Sequence, residues 1–181
     1  MLRLACETGG MEDQRGRLEA SRSALMGLRT AVERREPWPL SASYGTEPES
    51  SWGPKEVLAH VAEMVPYWLA QIESVLAGSR AAADPVPFGR VATDPDRINR
   101  IGRDRSLPAE ELFRRIDEAV TIASARLDRL DDADRAHSGV HPRLGEMTVE
   151  AIGERFIIGH LDEHVRQLGE ILEADGGPAR T

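Results

Sequence analysis

The sequence predicts an all-α fold, a four-helix bundle, and three observations carry that expectation. Four long stretches place apolar residues at helical spacing, each closed by Gly, Pro or a polar run. Aromatic residues make up only 4% of the chain while Ala, Leu, Glu, Asp and Arg dominate, a mix that favours helix over sheet. The connection from Gly78 to Ser106 is far longer than the ~2–8 residues of an ordinary helix–helix turn, enough to cross the end of the molecule and join parallel neighbours. At 181 residues the chain suits one domain with a sizeable core.

Taken in order, residues 1–11 read as a disordered leader, 12–175 as the bundle domain and 176–181 as a tail. The first helix runs from about Glu12 to Arg35 through Leu18, Leu25, Leu28 and Val32, and Pro37 and Pro39 end it. The second opens at Pro54, a residue suited to a first helical turn, and stops at Gly78. Pro66 lies inside it and predicts a kink, because the apolar arc continues in phase through Trp68, Ile72 and Val75. Within the long connection, Asp96 to Arg105 suggests a short helix with Arg97, Arg100 and Arg103 along one side, a solvated charge run. Ser106 is the expected cap of the third helix, which carries Phe113, Ile116, Val120, Ala123, Leu127 and Leu130. A loop from Asp132 to Met147 holds His137 and His141, and Thr148 caps the fourth helix, which ends at Ala174.

The net charge of −8 argues against a nucleic-acid partner. The single cysteine, Cys6, excludes a disulfide framework. No apolar run approaches the ~18–20 residues of a membrane span and no signal-peptide core is visible, so a cytoplasmic protein without membrane contact is expected.

Chemistry concentrates on three histidines. His160 and His164 stand one turn apart within the apolar arc of Phe156, Ile157, Leu161, Leu168, Ile171 and Leu172. An imidazole turned into a core needs a partner, and two at this spacing can share a metal ion. His60, beside Val57 and Met64 on the second helix, supplies a third from a distant segment. His60 lies near the start of its helix and His164 before the end of its own, so antiparallel packing brings them to similar depth. Three neutral imidazoles leave the ion's charge uncompensated and one coordination position open, the pattern of catalytic sites. Glu63, Glu163 and Gln167 are candidates to orient these rings, Glu163 foremost, and Glu163 and His141 are the candidates for acid/base work. Met64, Tyr67 and Trp68 read as core.

Trp52, Glu56, Leu58 and His60 at the head of the second helix, and His160, His164 and Gln167 in the fourth, together make the chain similar to the DinB-like superfamily of metal-binding four-helix bundle proteins, over about residues 12–174. The resemblance implies an up-down-down-up bundle with a long crossover between helices two and three. It implies a divalent metal, zinc or nickel, on His60, His160 and His164. Relatives with known activity include S-transferases that use bacillithiol or mycothiol, so it also implies a low-molecular-weight thiol as cofactor and a small-molecule substrate, with a homodimer as a further expectation. A metal-bearing three-histidine site can make a thiolate or a hydroxide near neutral pH, so a thiol transferase is the expected function and a hydrolase an alternative. A binding module without catalysis is the remaining alternative.

Overall fold

The computed structural model describes residues 8–42, 44, 49–81 and 85–176. Helix α1 spans Thr8–Arg34 and α2 spans Pro54–Ala81. Strand β1, Val86–Pro87, and helix α3, Pro95–Asp104, lie on the crossover; α4 is Ala109–Leu127 and α5 is Asp132–Ala136. Strands β2, Ser138–His141, and β3, Gly145–Thr148, lead into a composite helix made of α6, Val149–Gly153, a π turn, Glu154–Ile158, and α7, Gly159–Gly176.

Paired side chains fix the direction of each helix. Arg17 reaches Glu154 and Asp162 while Arg35 donates to the Leu172 carbonyl at 2.8 Å, so α1 and the composite helix run the same way. Arg22 meets Asp117 at 2.7 Å and Arg29 meets Glu110 at 3.5 Å, so α4 runs against α1. Lys55 reaches the Leu107 carbonyl at the head of α4, and Glu73 reaches Arg126 at its foot, so α2 and α4 are parallel. The bundle is therefore up-down-down-up. With α2 and α4 parallel, the chain between them must travel back along the bundle, which is why the crossover is long.

The apolar arcs meet in one core, where Leu58, Met64, Phe113, Ile116, Ile152 and Ile157 are fully buried. Truncating a residue such as Phe113 to Ala removes roughly 3–5 kcal/mol. Among the described residues no helix is long and apolar enough to cross a membrane.

Several local features differ from expectation. Residues 1–7 of the expected leader lie outside the described residues, but from Thr8 the chain is already helical, since extending an existing helix is far easier than starting one. Of the tail, 177–181 lie outside them too. Helix α2 does continue through Pro66, as expected, but it runs past the expected stop at Gly78 to Ala81. Gly78 is there for space: a Cβ on it would lie 2.5 Å from Val86 Cγ2. Ser106 does not cap α4; its hydroxyl bonds back to the Arg103 carbonyl, and Pro108 takes the cap position. The loop before the fourth helix holds α5 and a hairpin, with β2 antiparallel to β3 and parallel to β1, giving a three-stranded sheet beside α2 in an otherwise helical fold. Thr148 caps as expected, accepting from the Ala151 N–H at 3.1 Å.

Candidate metal centre

Antiparallel packing brings the first turns of α2 against the middle of the composite helix, and His60, His160 and His164 meet there. Their ring centroids lie 4.7 to 5.2 Å apart, and His60 Nε2 is 3.5 Å from His160 Nε2. That separation is already close to the ~3.4 Å between two ligands on one tetrahedral ion. One ligand atom from each of Glu49, His60, His160 and His164 lies within 4.8 Å of the others.

The π turn shapes this meeting point. The Gly159 N–H bonds to the Glu154 carbonyl, five residues back, so one extra residue is absorbed just before the two histidines. Gly159 leaves room for it, since a Cβ there would lie 3.2 Å from that carbonyl oxygen. Phe156, inside the turn, stacks on Trp68 with centroids 3.9 Å apart and planes 11° from parallel.

All three imidazoles are held neutral. Burial pushes His60 well below its ordinary value, and the neighbouring His164 and His160, then Arg97 and Arg90, push the same way. Burial, then His164, Arg97 and Arg155, bring His160 down to about 3. Burial also lowers His164, opposed by its bond to Gln167. Neutral imidazole is the metal-ligating form. The His164 Nε2 atom is buried with no hydrogen-bond partner and stands 3.9 Å from a Glu49 carboxylate oxygen, too far for a hydrogen bond. An orphaned acceptor of this kind is destabilising unless something fills it. The donor set and the orphaned nitrogen both fit a divalent cation.

Gln167 holds one of the rings, and a carboxylate lies behind another. Gln167 Oε1 lies 2.9 Å from His164 Nδ1, and Gln167 Nε2 donates to the Glu49 carbonyl at 2.7 Å. Glu63 is buried beside His60, 3.9 Å from its Nδ1, and takes a hydrogen bond from Arg90 at 2.5 Å. The Arg90 guanidinium lies 3.7 Å over the Tyr67 ring.

Of the sequence-derived candidates, Glu163 is corrected: it is exposed, because it stands about 100° round the helix from His164. Arg97 is also corrected. It is buried against Glu49 and over the Trp52 ring, whereas Arg100 and Arg103 are exposed as expected. His141 is not in the four-residue cluster and is not an exposed loop residue. It is buried on β2, its Nδ1 accepting from the Arg143 and Leu144 N–H groups at 3.2 and 3.3 Å. Gly89, at φ +83°, passes so close that a Cβ would lie 2.4 Å from His141 Cδ2. His137 caps the end of α5 outside the cluster. Glu49 is the residue sequence reasoning missed. It comes from a 3₁₀ turn, Glu49–Ser51, with no periodicity to mark an inward face.

The cluster opens on a cavity of about 420 Å³. His60, His160 and Glu49 form one end; Trp68, Phe156 and His141 form its walls, so Trp68 is more than core filling.

Fold and site thus describe a four-helix bundle with an inward cluster of histidines at the edge of a cavity of mixed lining. The chain belongs to the DinB superfamily, whose family model matches residues 15–168. Among solved structures it is similar to YfiT from Bacillus subtilis, described as a probable metal-dependent hydrolase with an unusual four-helix bundle topology. The two share 16% identity and a TM-score of 0.70 over 98% of this chain and 94% of that one, a likeness of fold. No curated protein matches the sequence closely enough to count as a relative.

Proposed function

We propose that the chain is a divalent-metal enzyme in which His60, His160 and His164 hold the ion, zinc or nickel, and the adjoining cavity admits a low-molecular-weight thiol for transfer to an electrophilic carbon of a small molecule. The observation that carries this is the opening of the three-histidine cluster directly onto a cavity of about 420 Å³, within the ~300–1,000 Å³ of small-ligand sites. A closed, apolar surround would have favoured a binding module without catalysis.

An ion at this centre supplies the charge that lets a thiol or a water molecule lose its proton near neutral pH. The chain's own residues do the rest. Gln167 keeps His164 Nε2 turned to the centre, and the Glu63–Arg90 pair lies behind His60. Trp68 and Phe156 form an apolar wall that shields the reacting end from water. The Glu49 carboxylate, held by Arg97, stands where it can accept a proton from the incoming nucleophile.

Glu49 favours a second reading, hydrolysis, because a positioned carboxylate is what water activation needs and a thiol, being more acidic, needs less. The test is metal analysis of the purified protein, followed by thiol titration of the cobalt-loaded form and conjugation assays across small thiols. A sulfur-to-cobalt charge-transfer band and His60-dependent conjugation are expected. Silence towards every thiol, with turnover of an ester or amide substrate, would replace transfer by hydrolysis.

A further inference from the structure

Four arginines line the cavity of a chain whose net charge is −8: Arg90, Arg97, Arg143 and Arg155. They fall into two pairs. Arg90 and Arg97 are committed to Glu63 and Glu49. Arg143, in the turn between β2 and β3, and Arg155, in the π turn, are exposed, and among the described residues neither guanidinium pairs with a carboxylate. Other exposed arginines, such as Arg100, Arg129 and Arg166, are unpaired too; what sets Arg143 and Arg155 apart is that both line the cavity.

The two free guanidinium groups share one neighbourhood. Both act on His141 electrostatically, and Arg155 acts on His160 as well. They approach it from different elements, a hairpin turn and the composite helix. The stacked rings of Trp68 and Phe156 line the same cavity, with His141 stacked on Phe156 at 5.5 Å and the Arg155 guanidinium 5.8 Å over the Phe156 ring. The cavity lining therefore combines two cations without a carboxylate partner, an aromatic wall and two of the metal-ligating histidines. Among the described residues its one lining carboxylate is Glu49, which pairs with Arg97 beside the histidines.

We propose that Arg143 and Arg155 form an anion-binding end of this cavity, so that its occupant is a small molecule carrying a terminal oxyanion, a carboxylate or a phosphate, on a planar or apolar stem. The fork of a guanidinium matches either oxyanion bidentately. The aromatic wall takes the stem, and the opposite end of the molecule reaches His60 and His160. The inference deepens the function proposed above and rests on it only for the identity of the reacting end.

Calorimetric titration of the full-length, metal-loaded protein with phenylacetate, phenyl phosphate and the neutral phenylacetamide tests it. Either acid should bind and the amide should bind at least ~10-fold more weakly, a difference of ~1.4 kcal/mol. Tighter binding of phenyl phosphate assigns a phosphate-bearing ligand, and tighter binding of phenylacetate a carboxylate. Arg143→Gln with Arg155→Gln should weaken the acids by ~10-fold or more and leave the amide unchanged, and both positions are exposed, so folding is unaffected. Equal affinity for acid and amide, no binding of either acid, or full affinity in the double variant overturns the proposal. Metal content is measured in the same samples. A double variant that keeps its metal but loses acid binding leaves the metal reading standing. A wild-type protein that holds no metal yet binds the acids through the two arginines fails that reading alone.

Discussion

Gln167 lies 2.9 Å from His164, its side-chain oxygen facing the ring's Nδ1, so the proton of His164 sits on Nδ1 and the Nε2 lone pair faces the centre of the cluster. The same amide donates to the Glu49 carbonyl, so one side chain orients a histidine and anchors the turn that carries the missed carboxylate.

Gln167→Ala should therefore weaken metal binding by ~10–100-fold, the usual effect of losing the group that orients a ligating imidazole. Gln167→Glu still accepts from Nδ1 but no longer donates to the Glu49 carbonyl, so its affinity should fall between the two. Competition against a chromogenic chelator reads both values, and wild-type affinity in Gln167→Ala would sink the assignment.

Metal removal should lower the melting temperature. An ion that binds only the folded chain at ~1,000 times its Kd contributes about 4 kcal/mol, or roughly 10 °C for a domain of this size. His164→Ala should lose most of that increment while keeping nearly the same melting temperature in chelator as its own metal-treated form. Scanning calorimetry with and without chelator measures it; a wild-type curve indifferent to chelator would make the histidines ordinary core residues.

The metal-free protein should be acid-sensitive in a defined window. Burial lowers all three folded-state values below the ordinary 6.5, His160 to about 3. The unfolded chain then binds more protons than the folded one below pH 6.5, and stability falls as pH drops through 6.5 towards 3, with little change above. His160→Gln should flatten part of that slope. Urea midpoints from pH 7.5 to 4.5 in chelator decide it, and midpoints that rise on acidification would contradict the buried, neutral state.

Glu56 is the structural pin of the segment that delivers Glu49. It is fully buried and accepts from the Ser41 N–H at 2.9 Å, from Arg105 at 3.0 Å and from the Gly53 N–H at 3.2 Å. Ser41 and Gly53 flank Glu49 on either side. Glu56→Ala strands these donors and the Arg105 charge, and should destabilise the fold by about 3–5 kcal/mol. Glu56→Gln keeps an acceptor and should lose less. Urea denaturation checks both, and a loss under ~1 kcal/mol for Glu56→Ala would show that water replaces the carboxylate.

The bundle and its histidine trio were legible because both are periodic. His160 and His164 repeat at one helical turn, and His60 falls beside Val57 and Met64 in a regular arc. What was not legible lies where periodicity stops. Glu49 sits in a single 3₁₀ turn, and His141 on a four-residue strand in a stretch that reads as loop. Arg97 belongs to a charge-rich run, and its ion pair with Glu49, with a bond to the Ala92 carbonyl at 3.0 Å, makes its burial tolerable. The π turn is silent in sequence because one inserted residue leaves Ile157 and Ile158 buried on either side of the shift.

The crossover divides labour between segments of the chain. Residues 85–104 carry Arg90, Val91, Ala92 and Arg97 to the cavity, while the histidine trio stands on the long helices. Phe88 and Ile101 fasten this segment to the core. Loops tolerate changes of length and charge that packed helices do not. A chain built this way can therefore retune part of its cavity wall through Val91 or Ala92 without altering the helices that carry the histidines. Changes at Arg90 or Arg97 would reach further, because these two side chains hold Glu63 and Glu49 beside the histidines.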